Sequence, residues 1–342
     1  MFVLSGEDLT IQRAEIAALV DAYVWPSRHV IEDLGQRVVV TELGDMEIIS
    51  KIADRAAYCR FGGQFISSGS NLADLLVDFP PQLVPHEKTF AVASETLPKS
   101  TCGDLGAMIK QRTAAKVSLE KPDVIFEVDH TESQEYALGV SCSGFKSFSW
   151  RNRRPRARRF FLPSAIYPKL ARLLVNLSRV REGQYFLDPF CGTGSLLIEA
   201  SLVGAQVVGI DITRWIARGA QLNMKGFALG YEGILRADST YRNLPFAMVH
   251  AISTDVPYGR AASTKGKSTD RILREFIAAA SEVLSNRSRN TVQEARPRYC
   301  VIMHPSQIEL DFDKSLFAVQ ERHHIYVHRT LTRAITVLRS LR

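Results

Sequence analysis

Asp188-Pro189-Phe190-Cys191-Gly192-Thr193-Gly194-Ser195 follows a short apolar strand at 185–187 and runs into a helical pattern at 196–202. A strand, a tight glycine loop and a helix in succession are how a doubly wound sheet presents a ligand site at the carboxyl ends of its strands. Gly192 and Gly194 carry no Cβ, so the backbone can turn sharply and let a ligand lie against it. The first N–H groups of the helix then face that ligand. A phosphate-binding loop would need GxxxxGK[ST], and its lysine is missing here. A dinucleotide fingerprint would need GxGxxG, and Leu197 stands where the third glycine belongs.

From Gln184 onward strand and helix alternate, as a mostly parallel sheet requires. The strand at 206–210 ends at Asp211, about 20 residues beyond the glycine loop, the usual spacing for a carboxylate that accepts ribose hydroxyls. A helix at 213–227 leads to a third strand, 233–237, ending at Asp238. The fourth strand, 248–253, delivers Thr254-Asp255-Val256-Pro257-Tyr258-Gly259-Arg260. A helix at 272–284, a strand at 299–304 and a final hairpin near 318–328 and 331–338 complete the pattern.

The acidic strand end followed by FCGTGS resembles the S-adenosylmethionine loop of Rossmann-like methyltransferases, specifically DPFCGTGS of the RNA guanine-N2 branch. An acidic lip suits a ligand with an amino group and a sulfonium, whereas pyrophosphate would be repelled. TDVPYG is similar to the DPPYG of methyltransferases that act on exocyclic amines, with Val256 in place of the usual proline. Guanine's amino group shares its lone pair with the ring and is a poor nucleophile. Two acceptors aimed at its hydrogens, Asp255 and the backbone carbonyl of Val256, would free that pair. Pro257 holds residue 256 extended, and Tyr258 offers a face for an extruded base. The valine keeps the carbonyl, but some rigidity of the loop is expected to be lost. Aspartate at 255 leans towards guanine, since the adenine-N6 and glutamine relatives more often carry asparagine there.

The resemblance implies S-adenosylmethionine contacts at Asp188, Phe190, Gly192, Thr193, Gly194, Ser195, Asp211, Ile212, Asp238, Ser239 and Asp255. Ser164 and Ala165, just before a helix at 168–180, are similar to the element that closes over the methionine end of the cofactor. Asp255, Val256, Pro257 and Tyr258 would carry the chemistry.

The composition, 46% apolar and 23% charged, is that of a soluble globular protein, and 342 residues suggest two or three domains. No apolar run approaches a membrane span, and MFVLSGEDLT has neither a basic head nor a long apolar segment, so neither membrane nor signal peptide is expected. The five cysteines are never spaced CxxC, which argues against zinc and a disulfide framework and fits a reducing, cytoplasmic setting. His323, His324 and His328 lack a carboxylate or cysteine at matched spacing, so no metal is expected; they read as edge-strand surface residues. Cys191 reads as a small buried thiol. The net charge of +7 is uneven: residues 1–150 hold 13 Lys+Arg against 21 Asp+Glu, and residues 151–342 hold 30 against 15. That division points to a polyanionic partner met mainly by the second half.

In the first half, a strand at 2–4, a helix carrying Ile16, Leu19, Val20 and Tyr23 on one face, a strand at 36–43, a helix at 47–60 and a turn and strand at 61–66 suggest a small ferredoxin-like α+β unit over 1–60. A helix at 71–79, a strand at 89–95, a helix at 105–115 and strands at 124–128 and 135–142 follow. Their Val117-Ser118-Leu119-Glu120-Lys121-Pro122-Asp123 turn resembles that of a THUMP domain, placed at 61–150, whose family binds the single-stranded 3′ end of tRNA. Lys110, Arg112 and Lys116 are its candidate phosphate contacts. A basic linker, 151–165, opens with six arginines in nine residues: Arg151, Arg153, Arg154, Arg156, Arg158 and Arg159. Such a run is expected to stay extended until it meets an anion, as an RNA-facing joint. Arg260, Lys265 and Lys267 suggest a basic loop over the bound base.

The fold expected is therefore α/β: a Rossmann-like methyltransferase domain, 166–342, preceded by the ferredoxin-like and THUMP-like units. The whole chain resembles the archaeal tRNA (guanine-10) N2-methyltransferases, which implies transfer of one or two methyls to the N2 of guanosine ten of tRNA. A tRNA guanosine-6 N2-methyltransferase, a DNA or RNA adenine-N6 methyltransferase and an inert RNA-binding subunit remain as alternatives. The family picture implies a monomer and leaves a small activating subunit open.

Overall fold

The computed structural model describes residues 1–5, 8–26, 31–33, 38–94, 96–131, 135–141, 150–241, 244, 248–258, 268–285, 296–328 and 331–342. The chain divides into two compact units, one of Met1–Val20 and Ser27–Phe148, the other of Asp21–Pro26 and Ser149–Arg342. No helix among the described residues is long and apolar enough to cross a membrane.

The first unit holds two sheets. Strands β1 (Phe2–Leu4), β2 (Ile31–Asp33), β3 (Val38–Thr41) and β4 (Cys59–Gly62) form an antiparallel sheet in the order β2-β3-β1-β4. Helices α1 (Leu9–Val24) and α2 (Met46–Arg55) sit in the chain between them, giving the order βαββαβ. Ile16, Leu19 and Val20 are buried, as their spacing predicts, and so are Ile49, Ile52 and Ala53 of α2. Asp45 caps α2 by accepting the Glu47 and Ile48 N–H groups. Sequence predicts a single strand at 36–43; the edge strand β2 escapes that reading because two of its three residues are acidic.

The second sheet runs β5-β9-β8-β6-β7, from β5 (Gln64–Gly69), β6 (Thr89–Ala93), β7 (Lys116–Val117), β8 (Val124–His130) and β9 (Tyr136–Ser141). Its parallel pairs are β6 with β7 and with β8. Asp123 accepts both the N–H and the hydroxyl of Thr89 at 2.8 Å, which ties the Pro122-Asp123 turn to the start of β6. Two expectations fail here. The helix at 71–79 is only a 3-10 turn, Asp74–Leu76. The Asn71 side chain accepts the Ala73 and Asp74 N–H groups, and Asp74 accepts those of Ser70 and Asn71, so side chains take the place of helical bonds. Helix α3 (Lys99–Thr113) begins six residues before 105, because Ser100, Thr101 and Gly103 interrupt the apolar period in its first turns.

Among the described residues, the second unit holds one seven-stranded sheet. Its strands are β10 (Tyr185–Asp188), β11 (Gln206–Asp211), β12 (Gly233–Arg236), β13 (Ala251–Asp255), β14 (Tyr299–Pro305), β15 (Phe317–His328) and β16 (Leu331–Ser340). The order is β12-β11-β10-β13-β14-β16-β15, parallel except for β16, which is antiparallel to both β14 and β15. Helices α4 (Pro168–Leu177), α5 (Ser195–Leu202), α6 (Arg214–Gly226) and α7 (Thr269–Ser285) complete the unit. The order reverses between β10 and β13, and a crevice opens outside their carboxyl ends at such a switch point. Strand β13 lies further along the chain than 248–253, and this register carries Thr254 and Asp255 into the sheet opposite Ile302 and Met303.

The arginine-rich segment departs most from expectation. It is folded into two 3-10 turns, Trp150–Arg153 and Pro155–Ala157, instead of extended. Arg153 and Arg158 are buried. Arg153 donates to Glu199 of α5 at 2.7 Å, a carboxylate that Arg172 of α4 also binds at 2.8 Å. Arg158 donates to the Ser195 hydroxyl at 2.6 Å and to the carbonyl of Arg153 at 3.0 Å. A buried guanidinium persists when paired and hydrogen-bonded, so these two hold the segment in place and are withdrawn from any phosphate surface. His323 is also buried, against Glu321 at 3.2 Å, and is no surface residue of its edge strand.

Candidate active site

Asp188 ends β10 fully buried, accepting the Phe190 N–H at 3.2 Å and the Thr254 hydroxyl at 2.8 Å. Burial pushes its carboxyl up to about 7, the charges of Asp255 and Asp211 add to the rise, and the two hydrogen bonds oppose it. The loop after it is pinned by the Cys191 N–H on the carbonyl of Ile210 at 2.8 Å. Gly192 has φ +50°, and a Cβ there would meet only the Phe190 carbonyl oxygen, at 3.9 Å. A side chain would therefore stand in the open space in front of the loop.

Gly194, expected among the cofactor contacts, is turned the other way. Its φ is +82°, a Cβ would touch the Cβ of Ala220 at 3.4 Å, and it does not line the crevice, so its role is close packing against α6. Cys191 is buried, its thiol held well above the ordinary range by burial first and by Asp188 and Asp211 next. Its sulfur lies close to Gly209, where a Cβ would come within 3.0 Å of it.

The crevice is a single cleft of about 800 Å³. Asp188, Phe190, Gly192, Thr193, Ser195, Asp211, Ile212, Asp238 and Ser239 line it, with Ser164 and Ala165 from the preceding segment. Asp255, Val256, Pro257 and Tyr258 line the same cleft. Asp211 accepts the Thr213 N–H at 2.7 Å, and its carboxyl is raised, chiefly by burial. Asp238 accepts the Thr240 N–H and hydroxyl at 3.0 and 2.7 Å, and the Ser239 hydroxyl bonds the carbonyl of Pro189.

Asp255 closes β13. Arg333 Nη1 donates to its Oδ2 at 2.9 Å, while its Oδ1 has no partner among the described residues. Burial pushes this carboxyl up to about 6 against the pull of Arg333. Arg333 Nη2 also bonds the Tyr258 hydroxyl, and its guanidinium carbon lies 4.7 Å from the centre of that ring. Val256 is fully buried, and its N–H donates to the carbonyl of Met303 at 3.1 Å, a bond proline lacks. The substitution thus anchors the loop to β14 rather than loosening it.

Several residues escaped the sequence reading. Arg333 lies in LTRAITV, where a charge on a strand with two hydrogen-bonded neighbours was the available signal. Nothing local marks Thr254 as the partner of Asp188. Asn223 of α6 is buried; it accepts the Phe160 N–H at 2.9 Å and donates to the carbonyls of Phe160 at 2.7 Å and Thr193 at 2.9 Å. It fastens the segment carrying Ser164 and Ala165 to the glycine loop. Among the proposed RNA contacts, Lys110, Lys116, Arg151, Arg154, Arg156 and Arg159 are exposed. Arg112 is exposed too, but one of its nitrogens bonds the carbonyl of Leu76. Arg260, Lys265 and Lys267 lie outside the described residues.

The donor set defines the ligand class. Four carboxylates (Asp188, Asp211, Asp238 and Asp255), a glycine cradle and the apolar walls of Phe190, Ile212 and Ile216 suit a cationic ligand with hydroxyl groups, and the carboxylates would repel a phosphate chain.

Residues 155–301 match the family UPF0020, described as an RMKL-like methyltransferase domain. The solved structure of TrmN from Thermus thermophilus superposes with a TM-score of 0.53 over 99% of both chains at 18% identity, a likeness of fold. The tRNA (guanine(10)-N2)-dimethyltransferase of Methanothermobacter thermautotrophicus is 36% identical over 260 residues, 73% of each chain. That of Methanocaldococcus jannaschii is 30% identical over 377 aligned positions, 99% of each chain. With its cleft built as above and this identity sustained end to end, the chain belongs to the tRNA (guanine(10)-N2)-dimethyltransferase family.

Proposed function

We propose that this chain transfers one or two methyl groups from S-adenosylmethionine to the exocyclic N2 of guanosine at position ten of tRNA. The observation that carries the reading is the shared cleft: the glycine loop and the Asp255–Tyr258 segment face one cavity, with Asp255 Oδ1 unpartnered among the described residues.

In this reading Asp211 holds the ribose hydroxyls, Asp188 the amino group, and Asp238 and Ser239 the adenine end. Gly192 lets the backbone approach, and Ser164 and Ala165 close over the methionine end. When bound, S-adenosylmethionine supplies an electrophilic methyl group on sulfur. Asp255 and the carbonyl of Val256 accept the two N2–H hydrogens, so that the nitrogen lone pair leaves conjugation and points at the methyl carbon. Asp255 would take the proton that the nitrogen sheds on methylation. Positioning and fixed acceptors supply the rate, since no strong base is needed.

The first unit serves recognition. Its βαββαβ order with strand order β2-β3-β1-β4 supports a ferredoxin-like unit. The Asp123 turn, with exposed Lys110 and Lys116 nearby in sequence, supports a THUMP-like tRNA-end binder. Exposed Arg151, Arg154, Arg156 and Arg159 extend the phosphate contacts.

The test is position mapping. Unmodified tRNA transcripts are incubated with the chain and S-adenosylmethionine, and the N2-methylated nucleotide is located by digestion. Modification at position ten, absent from a transcript with adenosine there, is the expected result. Modification at position six, or on an adenine, overturns the assignment.

A further inference from the structure

The guanidinium of Arg333 sits in the corner formed by the two groups assigned above to the substrate base. Nη1 donates to Asp255 Oδ2 at 2.9 Å, Nη2 bonds the Tyr258 hydroxyl, and the guanidinium carbon lies over the Tyr258 ring at 4.7 Å from its centre. Guanine contains the same chemical unit: its C2 is bonded to N1–H, to N2H2 and to N3, a planar guanidine. A guanine edge laid on a carboxylate, with its face on an aromatic ring, would make the two kinds of contact that Arg333 makes here, an N–H on Asp255 and a guanidine group over the Tyr258 ring. We propose that Arg333 is a placeholder for the substrate base, holding the corner between Asp255 and Tyr258 until guanine's N1–H/N2–H edge replaces it. This rests on the reading of the cleft as a guanine-N2 methylation site.

Two further observations fit an occupant that leaves. Arg333 Nε and Asp255 Oδ1 are both buried without a partner among the described residues, so the arginine satisfies neither itself nor the carboxylate in full. A base offering two adjacent donors to the carboxylate engages both oxygens. The corner also discriminates. Adenine places the N1 acceptor beside its amino group, and that lone pair would face a carboxylate oxygen, whereas guanine offers hydrogens at both places. In the absence of tRNA, the arginine favours the ionised form of Asp255 against the effect of burial.

The experiment compares wild type with Arg333→Met, which fills a similar volume, at about pH 9, well above the value of about 6 to which burial raises Asp255, because removal of the guanidinium raises that carboxyl further. Removal of an internal competitor relieves a population penalty, so KM for tRNA is expected to fall about fivefold, with kcat/KM rising. Ethylguanidine added to the variant is expected to compete with tRNA. S-adenosylmethionine binding reports folding, and if Arg333→Met fails to bind it, Arg333→Lys replaces it, with a smaller fall in KM expected. An unchanged KM, or a fall of tenfold or more in kcat that ethylguanidine restores, overturns the placeholder and makes Arg333 a working member of the turnover complex. A wild-type chain that leaves tRNA unmethylated sinks the functional reading itself; an active wild type with either of the former results sinks only this proposal.

Discussion

Asp255 is half-buried and combines a single ion-pair partner with a buried, unpartnered oxygen among the described residues. Replacing it by alanine removes the acceptor that frees the lone pair, so turnover is expected to fall about a thousandfold, while S-adenosylmethionine affinity stays within about threefold. Single-turnover assays beside equilibrium binding check this. Its carboxyl, raised to about 6, must be ionised to take up the proton that the nitrogen sheds. Activity is therefore expected to fall about tenfold per pH unit below that value and to level off above it, a profile read from kcat/KM against pH, which reports the groups of the free enzyme. Asp188 has a different sign to check. Its carboxyl is raised to about 7, so the folded state holds the proton more tightly than the unfolded one. Its contribution to stability is complete below the ordinary carboxylate range and is lost as pH climbs through about 7. An asparagine side chain in its place would keep an oxygen to accept from Phe190 and Thr254 without the buried charge. At pH well above that range, Asp188→Asn is expected to melt no lower than wild type yet to bind S-adenosylmethionine about tenfold more weakly, by thermal scan and calorimetry.

At the scale of elements, the segment from Trp150 to Ile166 is a strap locked by Glu199, Ser195 and Asn223. Glu199→Gln leaves Arg153 and Arg172 without their shared anion, and a loss of about 3–5 kcal/mol is expected in denaturant unfolding. The alternation of the second unit was legible in the sequence because each parallel strand is a short apolar run ending in a turn or a carboxylate. The strap was not, because six arginines in nine residues look alike until their partners are known. Glu199, the anion for Arg153, lies 46 residues away, and Asp255, the anion for Arg333, lies 78 away. Local pattern shows that a charge exists, and only tertiary packing shows whether it is buried. The turn at Asp74–Leu76 was misread for a related reason: Asn71 and Asp74 commit their side chains to the backbone that a helix would need. The carboxylates of the site were readable since strand ends at a switch point fix their place before any packing is known.

Across the whole molecule, the excess of positive charge lies in residues 151–342, and four arginines of the strap remain exposed once Arg153 and Arg158 are withdrawn. Reversing Arg151, Arg154 and Arg156 to glutamate is expected to weaken tRNA binding with melting unchanged. The logarithmic salt dependence of that binding is expected to flatten by about 0.7–0.9 for each phosphate no longer neutralised. Unchanged tRNA affinity after reversing Lys110 and Lys116 would remove the first unit's surface from the recognition scheme. The most direct test of the central claim uses tRNA, methyl-labelled S-adenosylmethionine, the wild-type chain and Asp255→Ala, with labelled nucleosides separated after complete digestion. The expected result is label in N2-methylguanosine and N2,N2-dimethylguanosine with wild type and almost none with the variant. Label in N6-methyladenosine, or undiminished guanosine label in Asp255→Ala, would contradict it.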